Sequence, residues 1–157
     1  MAYTRKSAFL PLATLVLLFL STTSPPQANA LLINGLNVNA LAIIGTCHCS
    51  PTITSACNTC SLLSNILVSI KLNGNIIASA YTAHDGTFKI NLLNVGNILT
   101  GLTDISNLRV VVSLPILGCP IWATVSTGHL EGIPILQAGS ILNGVATCLV
   151  PSLNLVN

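Results

Sequence analysis

The chain consists largely of short aliphatic and β-branched runs separated by Gly, Asn, Asp and Pro. Runs of this length, bounded by turn residues, are typical of β-strands, and few stretches carry the longer apolar stripe of an amphipathic helix. The pattern predicts seven strands, at 41–49, 66–72, 76–82, 87–92, 108–114, 121–127 and 145–150. We therefore predict an all-β fold, a small antiparallel β-sandwich or barrel of six to seven strands.

The connection between the second and third predicted strands has a strong hairpin signal. Asn73 and Gly74 lie between strands 66–72 and 76–82, and both residue types tolerate the positive φ that a tight hairpin turn requires. The sequence His-Asp-Gly at 84–86 predicts the next turn, because Asp hydrogen-bonds to its own backbone and Gly adopts φ values that other residues avoid. These turns connect three consecutive predicted strands.

The segments on either side of these strands have no clear period. Residues 50–64 predict an irregular loop with one short helical turn around 56–63, and residues 93–106 predict a second loop. In the strand before the second loop, Phe88 and Ile90 point to the same face, so we expect that face to lie in the core.

The beginning of the chain has the pattern of a secretory signal peptide. Arg5 and Lys6 precede an apolar run at 9–20, which is followed by polar residues and by the small-x-small sequence Ala-Asn-Ala that ends at Ala30. An apolar helix of this length reaches about 18 Å, well short of the roughly 30 Å of a bilayer core. We therefore predict a signal peptide at 1–30 with cleavage after Ala30, and no membrane-spanning segment.

Residues 31–157 have the length of one domain and predict a single secreted β domain. Of the five Lys and Arg residues in the chain, Arg5 and Lys6 belong to the predicted signal peptide, so this domain balances three basic against three acidic side chains. A neutral domain lacks the concentrated basic surface that nucleic acid or anionic lipid requires, so we expect neither as a partner. Weak charge repulsion favours self-association or adsorption to wax, polymer or lipid; alternatively, Ser, Thr and Asn alone keep the domain soluble.

All six cysteines follow the predicted signal peptide, at positions Cys47, Cys49, Cys57, Cys60, Cys119 and Cys148. An even number of cysteines in an oxidising compartment predicts three disulfides that staple the domain. Zinc is the alternative, since the sequence Cys-His-Cys at 47–49 and the Cys-x-x-Cys at 57–60 have ligand-like spacing. The predicted secretion favours disulfides, and we expect no metal and no cofactor.

The strand pattern restricts how the cysteines pair. Cys47 and Cys49 are two residues apart in a predicted strand, so their side chains emerge on one face and should take separate, distant partners. The distant cysteines are Cys119 and Cys148, which leaves the pair at 57 and 60 to close a small local loop. Which early cysteine bonds to which late one stays open on this reasoning.

Candidate catalytic residues are few. Acid–base catalysis usually uses paired carboxylates, and the domain has three acidic side chains in all. His48 precedes Cys49 in a predicted strand, where neighbours point to opposite faces and cannot hydrogen-bond as nucleophile and base. His84 falls in a predicted turn, and His129 is expected at the surface near Glu131. We predict no catalytic residues and no enzymatic activity.

Two aromatic residues are candidates for carbohydrate stacking. Trp122 and Tyr81 would form such platforms on an exposed sheet face, but a lone Trp within an apolar run is more often a core residue. Aliphatic residues of this abundance can also line a lipid pocket, although any sandwich core needs the same residues.

Five segments resemble those of a known superfamily. The sequences AIIGTC at 42–47, VSIKL at 68–72 and TAHDGTFKI at 82–90 follow the order Gly-x-Cys, core strand, Thr-x-x-Asp-Gly-x-Phe. This order resembles the plant pollen-allergen and extensin-like superfamily. Within it, LPILGC at 114–119 and PSLNLVN at 151–157 are most similar to phylloplanins, small secreted proteins of plant surfaces.

The resemblance implies a small β-barrel or sandwich in which Cys47 is bonded to Cys119, leaving Cys49 for Cys148. It also implies a secreted, extracellular defence protein that hinders microbial spore germination or growth without catalysis, with a microbial surface or plant cuticle and cell-wall material as its partner. Two alternatives remain. One is an extracellular-matrix module that engages cell-wall polysaccharide, and the other is a carrier of apolar ligands.

Overall fold

The computed structural model describes residues 30–50, 53–54, 60–99 and 102–157. The predicted signal peptide lies outside these residues, except for Ala30. The described ranges contain two short helices, α1 (Val95–Ile98) and α2 (Leu102–Ser106), and twelve strands, which are β1 (Leu31–Ile33), β2 (Leu36–Val38), β3 (Ala40–Thr46), β4 (Ile53–Thr54), β5 (Leu67–Leu72), β6 (Asn75–Tyr81), β7 (Thr87–Leu93), β8 (Leu108–Ser113), β9 (His129–Gly132), β10 (Ile135–Leu136), β11 (Val145–Leu149) and β12 (Ser152–Val156).

Two main sheets carry these strands, and β1 and β2 form a separate hairpin. The four-stranded sheet has the order β10-β11-β3-β7, and the six-stranded sheet has the order β4-β12-β9-β8-β5-β6. Neither sheet closes on itself, so the prediction of a small all-β sandwich is confirmed and a barrel is not formed. The pairing is antiparallel except between β3 and β11, which run parallel, with Cys148 opposite Ile43.

The core receives side chains from both sheets, with alternate residues buried in β7, β9 and β11 and consecutive residues buried in β3, β5 and β8. In β7 the alternation is complete, with Phe88, Ile90 and Leu92 buried and their neighbours exposed. This pattern confirms the predicted shared face of Phe88 and Ile90, because side chains two apart in a strand point the same way. The fully buried side chains of the other strands include Leu41, Ile43, Val68, Ile70, Val110, Val112, Leu130 and Leu153.

The hairpin predicted at Asn73 and Gly74 is confirmed. Strand β5 pairs with β6 across this turn, and the two residues have φ of 51° and 84°. The same dipeptide occurs at Asn34 and Gly35, which turn between β1 and β2 with φ of 50° and 78°. Our prediction did not include this first hairpin, because each of its strands has only three residues and is too short to show a period.

One predicted strand is absent, and besides the two strands of the first hairpin four others were not predicted. Residues 121–127 form turns, since the backbone N–H groups of Trp122 and Ala123 both donate to the Cys119 carbonyl oxygen, at 3.0 and 2.8 Å. Within the predicted loop 93–106 the structure has α1 and α2, each about one turn long. The unpredicted strands, apart from the first hairpin, are β4, β9, β10 and β12. Of the helical turn predicted around 56–63, residues 56–59 lie outside the described ranges. Residues 60–63 are not helical, and Leu62 forms an isolated β-bridge with His48.

Candidate functional site

Cys49 and Cys119 form a disulfide across a sequence separation of 70 residues, with their Cα atoms 5.3 Å apart. This pairing corrects the Cys47–Cys119 and Cys49–Cys148 bonds that the resemblance implied. The physical reason is that β3 ends at Thr46. The chain then bends, with the Ser50 N–H donating to the His48 carbonyl oxygen at 3.0 Å, so the strand alternation assumed for the early cysteines does not reach Cys49.

The thiols of Cys47 and Cys148 are free and buried. Cys148 lies opposite Ile43 in the parallel β3–β11 pair. Ile43 is four residues before Cys47 in the chain. At about 3.3 Å per residue this offset is about 13 Å, well beyond the limit of about 7 Å for bridging Cα atoms. Cys60 is disulfide-bonded, but the predicted bond to Cys57 cannot be placed, since Cys57 lies outside the described residues.

Both free thiols should resist alkylation in the folded protein. Burial raises the pKa of Cys47 to about 12 and that of Cys148 to about 11, and the thiolate is the reactive species. We expect iodoacetamide at neutral pH to label both residues at least about a hundredfold more slowly in the native protein than in urea. Peptide mass spectrometry without reductant measures the labelling. Rapid native labelling, or either residue in a disulfide, would contradict this prediction.

The two candidate stacking residues differ in exposure. Trp122 is buried, and its indole Nε1–H donates to the Ser50 carbonyl oxygen at 3.0 Å. This is the core position that the sequence favoured, since a buried indole N–H needs an acceptor. Tyr81, at the end of β6, is exposed, so it is the member of this pair that a ligand can reach.

The three histidines lie in different parts of the fold. His48 is buried after β3 and its Nδ1 has no hydrogen-bond partner, whereas His84 is exposed in the turn between β6 and β7. In that turn, the Thr87 hydroxyl and N–H both donate to Asp85 Oδ1, at 2.6 and 3.0 Å, and hold the pKa of Asp85 below its usual value. Among the described residues, no group of three or more His, Cys, Asp or Glu side chains is placed to hold a metal ion.

The third histidine belongs to a charged cluster on β8 and β9. Arg109 Nε lies 3.2 Å from Glu131 Oε1, and His129 Nε2 lies 3.1 Å from Glu131 Oε2. All three side chains are partly exposed, so each ion pair stabilises the fold by at most about 1 kcal/mol. Because one carboxylate serves two bases, the cluster has a net positive charge when His129 is protonated.

A cavity of about 620 Å³ opens beside the β6–β7 connection, among residues of β3, β6, β7 and the end of β11. We call it the β3–β7 groove; its lining residues are Ile44, Gly45, Thr46, Tyr81, Ala83, Thr87, Phe88, Lys89, Leu149, Val150 and Pro151. Register explains the arrangement, since Ile44 pairs with Lys89 on one side and with Leu149 on the other. Most of the lining is apolar, and Lys89 contributes an ammonium group.

The shape of the groove depends on Gly45, which faces Phe88 across the β3–β7 pair. A Cβ at this glycine would lie 2.6 Å from Phe88 Cζ, so the absence of a side chain leaves room for the buried ring. This groove was not predicted from the sequence. A glycine within an otherwise apolar strand was the available signal, because such a glycine often marks a close approach.

Large aliphatic side chains are also exposed outside the lining of this groove. Leu117 is 86% exposed beside the disulfide, and Leu142 is 73% exposed before β11. Other exposed aliphatic side chains include Leu32, Leu36, Leu93, Ile133 and Ile135. The surface of the described residues therefore combines aliphatic side chains with few charges.

Comparison with known proteins identifies no relative. The chain matches no protein-family model, no curated protein and no solved structure. Within the described part of the chain, no helix has the length and apolarity needed to cross a bilayer.

Proposed function

We propose that this chain is a secreted, non-catalytic defence protein of plant surfaces, similar in role to phylloplanins, that adsorbs to apolar material and hinders microbial spore germination. The observation that carries the adsorption is the exposed aliphatic surface, with Leu117 and Leu142 as its most exposed members. Burying apolar surface stabilises a contact by about 25 cal/mol per Å², without any specific partner group. The defence role itself comes from the resemblance at 114–119 and 151–157.

The scarcity of charge supports the same proposal. Exposed Lys and Glu side chains normally keep apolar surfaces apart, whereas residues 31–157 have only three basic and three acidic side chains. The Arg109–Glu131 ion pair cancels part of this small charge. The Cys49–Cys119 disulfide adds durability outside the cell, because it restricts the unfolded chain over a long loop.

A pair of double variants tests the proposal. Leu117→Lys with Leu142→Lys removes the two most exposed leucines, while Asn37→Lys with Thr127→Lys adds the same charge at exposed polar positions. We expect the leucine variant to adsorb to wax particles at least about tenfold more weakly than the wild type, with the control within about twofold. Inhibition of fungal spore germination should fall in parallel.

Three outcomes would contradict the proposal. The defence role fails if neither native nor reduced wild-type protein inhibits germination. Equal loss of adsorption in the leucine variant and the control would assign the effect to charge. Full inhibition by a leucine variant that no longer adsorbs would separate the two activities and remove the proposed mechanism. Circular dichroism of each variant checks that it is folded.

A second candidate function is an extracellular-matrix module that engages cell-wall polysaccharide. The charged cluster of Arg109, His129 and Glu131 favours this function, because these side chains offer both hydrogen-bond donors and acceptors to sugar hydroxyls on a sheet face. Retention on cell-wall fractions, abolished by free sugar and by Arg109→Ala, would support this function. Retention that free sugar does not change would exclude a specific sugar site.

A further inference from the structure

We propose that the β3–β7 groove binds one molecule of a long-chain fatty acid, with the hydrocarbon chain against the apolar lining and the carboxylate at the Lys89 ammonium. This ligand site is independent of surface adsorption and of the germination assay. It follows from three properties of the groove, which are its size, its apolar lining and its single cation.

The size of the groove suits a small ligand. Its volume of about 620 Å³ lies within the range of about 300–1,000 Å³ that is typical of small-molecule pockets. The groove lies beside the turn that carries the chain from the six-stranded to the four-stranded sheet, since β6 and β7 belong to different sheets. Backbone pairing of β3 with β7 and with β11 holds two of its walls in place without a ligand.

The lining suits a hydrocarbon chain. The apolar contributors include Ile44 and Leu149, which are paired across β3 and β11, and Val150, which follows β11. Phe88 contributes little to this lining, because its ring is buried in the space that Gly45 leaves free, on the opposite face of β7 from Lys89. Because apolar surface in a concave site is removed from water when a hydrocarbon enters, this lining favours an aliphatic ligand over a sugar.

The charge of the groove selects an anionic head group. Lys89 is exposed at the groove, and the ion pairs within the described residues, Arg109–Glu131 and His129–Glu131, do not involve it. Asp85 is the nearest acidic residue along the chain, but it does not line the groove and accepts its hydrogen bonds from Thr87. A carboxylate at the end of a hydrocarbon chain therefore complements both the apolar lining and the unpaired ammonium.

The test uses the fluorescent fatty acid cis-parinarate on the full secreted protein, with displacement by palmitate and by the uncharged alcohol hexadecanol. We expect saturable binding of one molecule per chain and displacement by palmitate. Lys89→Gln should weaken palmitate binding about fivefold, the upper range for an exposed ion pair, and leave hexadecanol binding unchanged. The matched variant Lys71→Gln removes a cation on the other sheet and should change the binding of neither ligand.

A second pair of variants tests the apolar lining. Leu149→Asp places a carboxylate in the groove, while Leu155→Asp makes the same change on β12, and the two leucines are 39% and 40% exposed. We expect Leu149→Asp to weaken palmitate binding at least about tenfold, and Leu155→Asp to change palmitate binding less than about twofold. Ala83→Trp, which fills the groove from an exposed lining position, replaces Leu149→Asp if that variant does not fold.

Several results would overturn the proposal. Non-saturable fluorescence would assign the signal to general adsorption. Equal weakening by Leu149→Asp and Leu155→Asp would place the ligand elsewhere, and equal effects of Lys89→Gln on the acid and the alcohol would remove the head-group assignment. A protein that inhibits germination but binds no fatty acid would leave the proposed function in place and exclude this site.

Discussion

Replacing Cys49 and Cys119 together by Ala is expected to lower the free energy of unfolding by about 4 kcal/mol, the value that loop-closure entropy predicts for a separation of this length. The bond spans 70 residues and joins the segment that follows β3 to the segment before Trp122. Without it, the unfolded chain regains the freedom of that long loop. Urea denaturation without reductant measures the change.

The control is the double variant Cys47→Ala with Cys148→Ala, which removes the two free, buried thiols. We expect it to lose about 1 kcal/mol at each site, the scale of deleting one buried heavy atom. If the bonds were Cys47–Cys119 and Cys49–Cys148 instead, each double variant would break both disulfides, and the two would lose similar amounts of stability. A control as destabilised as the Cys49 and Cys119 variant would therefore contradict the pairing described above.

Gly132→Ala is expected to destabilise the protein by about 3 kcal/mol, the upper range for overpacking in a close-packed interior. A Cβ at Gly132 would collide with the Ser152 carbonyl oxygen and would lie 2.8 Å from Leu153 Cδ2 and 3.2 Å from Val150 Cγ1. The nearest atom belongs to the backbone of β12, so relief requires moving a strand rather than rotating a side chain.

Gly118→Ala is the matched control, because a Cβ there meets nothing nearer than Leu63 Cδ2 at 4.0 Å. We expect this variant to lie within about 0.5 kcal/mol of the wild type. Thermal unfolding followed by circular dichroism compares the two variants with the wild type. Equal stability of Gly132→Ala and Gly118→Ala would show that β12 does not approach β9 as closely as the structure has it.

Local signals in the sequence predicted most of the longer strands. The Asn73-Gly74 turn and the alternation in β7 could be predicted from neighbouring residues alone. Positive φ and the two-residue period are properties of the local backbone. The strand predicted at 121–127 does not form, because distant residues decide the conformation there. The apolar run in this segment looks like a strand, but tertiary contacts bury Trp122 against the Ser50 carbonyl and leave the backbone in turns.

The candidate sites were predicted less well than the strands. The histidine and cysteine positions were visible in the sequence, but the β3–β7 groove requires residues from β3, β6, β7 and β11 to meet. Of its lining, Phe88 was assigned to the core, and Lys89 was counted only as one of three basic residues. Single-strand patterns do not show which residues of separate strands line a common space.

The amino-acid sequence by itself determined the all-β class, the first hairpin of the larger sheet, and the near absence of charge, because each depends on residue type or on neighbours along the chain. Only the tertiary structure decided that β11 runs parallel to β3, that Cys49 rather than Cys47 bonds to Cys119, and that an apolar groove carries Lys89. These features depend on register between distant segments, where a shift of one residue moves a side chain to the other face of its sheet.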